Sequence, residues 1–391
     1  MSLFDTEYTI ENNFVKNSPS YLKAMFGTVD VMPLWIADTD FKVAPPITQA
    51  LERIIERSVY AYEDITPKVT QAIADWNFRR HNLDLQPKSF IQVNGVLTAI
   101  AVLLRTLTKE GDGVMIQTPV YHQFYKAIKM ANRTVVDNPL KIKNGHYAMD
   151  FENMEQQLIF GNTKIILLCN PHNPVGRVWK RDELQRLIDL ANTYGVMIVS
   201  DEVHSEIVFS NSKFNSVLSF TSIQNHIAIL GSPAKTFGMQ SIANGYIYAA
   251  NKKLFDEIYG FVTSMYLHQG GALSAYAILA AYTHGEDWVN QLVHYLEQTI
   301  NWIQNFLNDE LPRVKMIRPE GTYQIWLDFR ALNLSETDLK QLVFNKAKLG
   351  LALGGSFGDD YKLFMRMNIA SPLSKLKKAF QQLKTSIDGV N

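Results

Sequence analysis

Hydrophobic positions along the chain fall into two alternating patterns. Short apolar, β-branched runs at Phe90 to Val93, Val114 to Gln117, Lys164 to Cys169, Val196 to Ser200, Ile227 to Leu230 and Tyr246 to Ala249 predict strands. Most are separated by segments with apolar residues three and four apart, which predict helices over Leu97 to Leu107, Arg181 to Tyr194 and Leu254 to Met265. Such alternation is the signature of an α/β fold, here a large, mostly parallel mixed sheet sandwiched by helices. From about Gly285 the pattern changes. A long helix is predicted over Trp288 to Asn308, followed by strands at Lys315 to Ile317 and Gln324 to Phe329, then helix, strand and a final helix from Leu373 to Ser386. This reads as a smaller α+β domain. No repeat and no Gly/Ser-rich linker divides the chain, so the two parts are expected to pack closely with a ligand site between them.

Composition narrows the partners. Of 391 residues, 47% are hydrophobic and 19% charged, and 38 Lys plus Arg balance 38 Asp plus Glu. A neutral chain creates no global field for nucleic acid or an anionic membrane, so neither is expected as a partner. The single cysteine, Cys169, excludes an internal disulfide framework and reads as a small core residue. The first residues are acidic and lack the apolar run of a signal peptide. The best uncharged apolar stretches, Thr98 to Leu104 and Leu273 to Ala281, fall far short of the ~18 residues that would suggest a membrane span. A cytoplasmic protein is expected.

Four segments carry candidate chemistry. Gly231-Ser-Pro-Ala-Lys235-Thr-Phe-Gly238 follows an apolar strand directly, and a lysine there is easily desolvated, which lowers its pKa toward nucleophilic, Schiff-base use. Val199-Ser-Asp201-Glu-Val-His204 puts Asp201 at a strand's carboxyl end, where open α/β sheets bind ligands and where a carboxylate can pair with a pyridinium nitrogen. Asn170-Pro-His-Asn173-Pro-Val-Gly176 follows a third strand; Asn173 can donate to a phenolate oxygen, although the composition equally suits a plain turn. Gln92-Val-Asn-Gly95-Val96-Leu97-Thr98 reads as strand, glycine turn and helix start, which offers free N–H groups and a positive dipole end to a phosphate. Histidines His122, His172 and His204 lie in separate motifs without metal spacing, so no metal is expected. Gly354-Gly-Ser-Phe-Gly358 lacks the strand and helix of a dinucleotide fingerprint and reads as a loop near the substrate.

Taken in this order and at these spacings, the segments resemble the fold-type I pyridoxal-phosphate enzymes, the aspartate aminotransferase (class I/II aminotransferase) superfamily, over nearly the whole chain. Trp35-Ile-Ala37-Asp-Thr-Asp-Phe41, Asn170 to Trp179 and Asp201-Glu-Val-His-Ser-Glu206 are most similar to the branch of cystathionine β-lyases and cysteine-S-conjugate β-lyases. The resemblance implies a large pyridoxal-phosphate-binding domain over 40–284, with 1–39 and 285–391 forming an N-terminal arm and a small C-terminal α+β domain. It makes Lys235 the lysine bonded to the cofactor and the later proton shuttle, Asp201 the partner of the pyridine nitrogen, and Tyr121 the aromatic stacked on the ring. Asn173 would lie near the phenolic oxygen and the substrate, with His204 where many aminotransferases keep a tyrosine. Gly95, Val96, Leu97 and Ser232 would hold the phosphate, while Ala37 and Arg366 would bind substrate, Arg366 through a bidentate fork to the α-carboxylate. Tyr62 resembles a residue sent into the neighbouring subunit's site, which implies a homodimer with shared active sites.

Two departures bear on substrate. Where many aminotransferases carry Arg-x-Gly to clamp the phosphate, this chain has Ala243-Asn244-Gly245, which favours the lyase branch. Against that, Lys23-Ala-Met-Phe26 stands where that branch keeps a Lys-Trp-Asp-like stretch lining the substrate entrance. The expected activity is β-elimination from cystathionine, cystine or a related S-substituted cysteine to thiol, pyruvate and ammonia. Transamination needs the same residues and stands as the alternative, with a catalytically weak, regulatory cofactor-binding protein as a third reading.

Overall fold

In the computed structural model, seven strands line up as the larger sheet: β1 (Phe90–Val93), β2 (Gly113–Ile116), β3 (Thr134–Asp137), β4 (Thr163–Cys169), β5 (Met197–Asp201), β6 (Ile227–Gly231) and β7 (Gly245–Tyr248). Residues 3–8, 11, 13–220, 226–242, 244–268 and 270–389 are described, and Ala243 lies outside them. The strand order is β1-β7-β6-β5-β4-β2-β3, parallel throughout except for β7, which runs antiparallel to both neighbours. This is the mixed, mostly parallel sheet expected from the apolar runs. Strand limits differ from expectation by one residue where pairing or proline intervenes. β2 stops at Ile116 because Thr118-Pro119 follows, and proline has no N–H for a ladder. β5 extends to Asp201 because that residue still pairs with Cys169.

Both faces of the sheet are buried, and the alternation of side chains divides them. Ile165, Leu167, Val199, Ala228 and Leu230 pack with Ala99, Ile100 and Leu103 of helix α1 (Val96–Leu107) and with Ile258 and Val262 of the helix Lys252–Ser264. The intervening residues, Ile166, Leu168, Ile198 and Ile229, join a larger core that also holds Leu184, Leu187 and Ile188 of helix α2 (Arg181–Tyr194). That core continues into a second sheet of four antiparallel strands: β8 (Lys315–Met316), β9 (Gln324–Asp328), β10 (Ala352–Leu353) and β11 (Phe364–Asn368), in the order β8-β9-β11-β10. Met32–Pro33 pairs in parallel with Leu349–Gly350, which ties the first part of the chain to this region.

The long helix after Gly285 runs from Glu286 to Glu310, wider than its apolar periodicity alone predicts. Glu286 and Asp287 suit a helix N-terminus, and Pro312 bars continuation beyond Leu311. Gly354–Phe357, expected as a loop, forms one 3-10 turn, and the segment before it breaks into a short helix, Glu336–Lys340, and a π-helical turn, Gln341–Lys346. Among the described residues no helix is long and apolar enough to cross a membrane.

Candidate active site

The parallel strands β4, β5 and β6 end together, and register fixes the result: Cys169 lies opposite Asp201, Asp201 opposite Leu230, and Gly231 opposite Tyr246 of β7. Since β7 is antiparallel, its first residue, Gly245, sits at this same edge, opposite Val93 of β1. The four motifs, scattered over some 140 positions in sequence, therefore converge on one end of the sheet. A cavity of about 290 Å³ opens there, lined by Gly95, Val96, Leu97, Tyr121, Asn173, Asp201, His204, Ser232, Lys235 and Ala37 among others.

One wall is a helix end. Gly95 precedes α1 with φ 85°, a conformation glycine adopts without strain, and no side chain caps the helix. Since the first intrahelical bond is Ala99 N–H to Gly95 O, the leading N–H groups of α1 have no acceptor within the helix. Gly245 backs this turn so closely that a Cβ there would stand 2.8 Å from the Gly95 carbonyl carbon and 3.0 Å from the Val96 nitrogen. Beside it the Ser232 hydroxyl donates to Asn244 O at 2.9 Å and accepts from Ala234 N–H at 3.1 Å.

The opposite wall carries charge. Lys235 donates from Nζ to the Ala37 carbonyl at 2.5 Å, and burial pulls its pKa down to about 8, opposed by the negative charges of Asp38 and Asp201 and reinforced by Arg366. Asp201 accepts the Val203 N–H at 3.2 Å, and burial pushes its pKa up to about 7 despite the Lys235 charge. His204 is buried edge-on against Tyr323, 5.5 Å between ring centres, with Nδ1 lacking a partner and burial driving its pKa down to about 3. Burial raises the Tyr121 phenol, so Tyr121 stays protonated. These are groups that ordinarily sit in water, held here buried with their pKa values displaced, as in reactive sites.

Arg366 on β11 arrives from the second sheet. It is buried just behind the cavity, donating from Nη2 to Trp35 O at 2.6 Å and from Nη1 to Asn173 Oδ1 at 3.2 Å, while Nε has no partner. Its guanidinium lies 5.1 Å from the Phe357 ring centre, and burial lowers its pKa to about 10, leaving it cationic at neutral pH. Tyr62 is not brought to this cavity: the side chain stands fully exposed on the segment between two helices, Pro45–Arg57 and Thr66–His81. Cys169 lines the floor with burial raising its thiol pKa, so it stays a thiol. Two residues absent from the motif reading also belong here. Gln240 lines the cavity with its Nε2 buried and unpartnered, and Tyr323 is fully buried with its hydroxyl 3.4 Å from Ala37 O. Gln240 lies five residues past Lys235, a proximity that was the one available clue, whereas Tyr323 reads only as a core residue.

Matches to known proteins agree with this geometry. Residues 29–383 match the family model for aminotransferase class I and II. Cystathionine β-lyase PatB of Bacillus subtilis is 34% identical over 367 residues, 93% of this chain and 94% of PatB. Among solved structures, cystalysin from Treponema denticola, which contains a pyridoxal 5'-phosphate cofactor, superposes with a TM-score of 0.94 at 27% identity, covering 100% of both chains. The pyridoxal-phosphate-bound C-S lyase from Staphylococcus hominis does so with a TM-score of 0.90 at 25% identity, covering 98% of this chain and 97% of that one. With its motifs gathered at one sheet edge and its match spanning almost its whole length, the chain belongs to the aminotransferase class I and II family.

Proposed function

We propose that the protein is a pyridoxal-phosphate-dependent C-S β-lyase that cleaves cystathionine, cystine or a related S-substituted cysteine to a thiol, pyruvate and ammonia. The observation that carries the cofactor reading is the meeting of buried Lys235, buried Asp201 and the uncapped start of α1 in one cavity. The residues fit the group. The free N–H groups of Val96 and Leu97 and the Ser232 hydroxyl suit its phosphate, and Gly245 leaves room for the turn at Gly95 and Val96, into whose backbone a Cβ there would press. Asp201, uncomfortable as a lone buried anion, suits a protonated ring nitrogen. His204 and Asn173 suit its ring substituents. When bound, pyridoxal phosphate supplies an aldehyde to capture amines and an electron-poor ring that draws electrons from the substrate's α-carbon.

The chain's own residues supply the rest. Lys235 is poised as acid and base: with a pKa near 8 its amine is present in both forms around neutral pH, so Nζ can take the α-proton and later return one. Arg366, rigidly held by Trp35 O and Asn173, has an unpartnered Nε and a persistent charge with which to bind the α-carboxylate, and so fixes which bond faces Lys235. The apolar walls at Tyr121, Val203 and Ala234 limit water around the reacting carbon. The full exposure of Tyr62, away from its own cavity, supports a reading in which it completes a second subunit's site and the working unit is a homodimer. The lyase reading over aminotransfer is supported by similarity to PatB and the S. hominis C-S lyase.

The test is to incubate the purified protein with pyridoxal phosphate and L-cystathionine or L-cystine, without any 2-oxo acid, and follow pyruvate and free thiol. Pyruvate with repeated turnover supports the lyase. Amino transfer seen only on adding a 2-oxo acid rejects it for an aminotransferase, and inactivity in both assays leaves a cofactor-binding protein without this catalysis.

A further inference from the structure

Outside the cavity, one buried charge network lies where three distant parts of the chain meet. Lys16 is only 2% exposed, and its Nζ donates to Asp38 Oδ1 at 2.7 Å and to Asp40 Oδ1 at 2.6 Å. Its carbonyl accepts the Trp35 indole N–H at 3.1 Å. Asp40 has other support, since its Oδ2 takes Lys375 Nζ at 2.8 Å and the Ser371 hydroxyl at 2.6 Å. Asp38 does not: among the described residues, Lys16 is the one cation paired with its carboxylate.

The segment so clamped, 35–40, is the piece of backbone on which the active site leans. Arg366 donates to Trp35 O, Lys235 and Tyr323 donate to Ala37 O, and Asn368 donates from Nδ2 to both Ile36 O and Asp38 O at 2.6 Å. Of these four successive carbonyls, those of Trp35 and Ala37 thus hold residues that would bind cofactor and substrate, and those of Ile36 and Asp38 tie the segment to Asn368 of β11. A buried ammonium is costly to desolvate and is tolerated where carboxylates compensate it. Here the compensation also works in reverse, because Lys16 stands against the Asp38 carboxylate, whose charge favours the protonated form of Lys235.

We propose that Lys16 is a positioning residue of this active site, one that holds the Trp35–Asp40 segment under Lys235 and screens Lys235 from the Asp38 carboxylate. The inference rests on the reading in which Lys235 bonds pyridoxal phosphate. The charged groups facing Lys235 are Asp38 from this segment, Asp201 from β5 and Arg366 from β11, with His204 neutral beside them. Removing the Lys16 charge leaves Asp40 paired to Lys375 but leaves Asp38 bare. The protonated form of the Lys235 nitrogen is then favoured and its titration moves up. Removing the Asp38 charge moves it down. These opposite signs separate an electrostatic role from a merely structural one.

The experiment is a spectrophotometric pH titration of the visible band of the protein reconstituted with pyridoxal phosphate, with no substrate present. Lys16→Met, close in volume, is expected to raise the midpoint by ~0.5–1 pH unit, and Asp38→Asn to lower it by a similar amount, as expected for one unscreened charge at an effective dielectric constant near 20. Lys16→Arg, which keeps the charge, is expected to titrate like the parent. An unchanged midpoint in folded Lys16→Met overturns the proposal. Should Lys16→Met fail to fold, Asp38→Asn decides alone: it retains the Lys16–Asp40 pair, and an unchanged midpoint there shows that the Asp38 charge does not reach Lys235. Lys235→Ala is the control. A visible band persisting in that variant sinks the cofactor reading itself, whereas its loss together with an unmoved Lys16→Met midpoint sinks only the role of Lys16.

Discussion

Replacing Asp201 by Asn separates what this carboxylate does to the fold from what it does for the cofactor. In the cofactor-free protein the group is buried, accepts the Val203 N–H, and has its pKa pushed from 3.8 up to about 7 by burial. A carboxyl whose folded-state pKa is raised weighs least on the fold when protonated in both states, below the unfolded value. Stability is then lost as pH climbs from about 4 toward 7, where the unfolded chain ionises and the folded one resists. At ~1.4 kcal/mol per pH unit, the loss is ~1.5 kcal/mol at pH 5 and levels off at ~4 kcal/mol by pH 8. Glu202, also buried and pushed to about 7, leans the same way. His122, His172 and His204, pushed by burial to about 4, 4 and 3, lean the opposite way because they must stay neutral in the fold. Lys235, drawn down to about 8 by burial, stays charged in both states at pH 5 and adds slope only toward the upper end of this window. The parent profile mixes all of these, but the difference between parent and Asp201→Asn isolates one group, and Asn keeps the acceptor for Val203. Urea unfolding of both cofactor-free proteins at pH 5 and pH 8 measures that difference. The variant is expected to be the more stable, by ~1.5 kcal/mol at pH 5 and by ~4 kcal/mol at pH 8. With pyridoxal phosphate bound it is expected to lose at least ~100-fold in kcat, because a neutral amide no longer holds a proton on the ring nitrogen. A stability advantage that does not grow between pH 5 and pH 8 refutes the claim that Asp201 is an uncompensated buried acid awaiting a cation.

Three further outcomes follow from the same geometry. Arg366→Lys keeps the charge but loses the planar fork and its bonds to Asn173 and Trp35; KM for the amino acid should rise ~30- to 100-fold, worth ~2–3 kcal/mol, with a smaller change in kcat, as steady-state kinetics would reveal. Gly245→Ala drives a Cβ into the Gly95–Val96 backbone, so thermal unfolding should show a loss of ~1–3 kcal/mol, and fluorescence titration a weaker cofactor Kd. An unaltered Kd would mean that this turn does not hold the phosphate. Re-annealing Tyr62→Ala with Lys235→Ala, each inactive alone, should restore about one quarter of parental activity if a dimer builds each site from both chains; no recovery would place Tyr62 outside its neighbour's site.

The strand and helix alternation was legible from sequence because a sheet buried on both faces must be written as short, nearly continuous apolar runs, such as Ile165 to Leu168 and Ile227 to Leu230, between amphipathic helices. The motif residues were legible for a related reason: Asp201 ends a strand, and Gly95, Asn173 and Lys235 lie within a few residues of one, where polar or small residues interrupt an apolar run. Element ends were less so. Charged residues such as Glu286 and Asp287 carry no apolar signal, yet they open the longest helix.

Tyr323 and Lys16 were not legible, since nothing local distinguishes a tyrosine before a strand or a lysine near the N-terminus, and Gln240 offered only its nearness to Lys235. The sequence by itself determined which chemical groups the protein has to use and on which strand ends they stand, since both follow from local patterning and backbone chemistry. Only the tertiary structure decided that a lysine at position 16 pairs with a carboxylate at 38, that four carbonyls between 35 and 38 accept from Arg366, Lys235 and Asn368, and that burial pushes the Asp201 pKa up to about 7. Distance and desolvation belong to the packed chain, and neither has a counterpart in the order of residues.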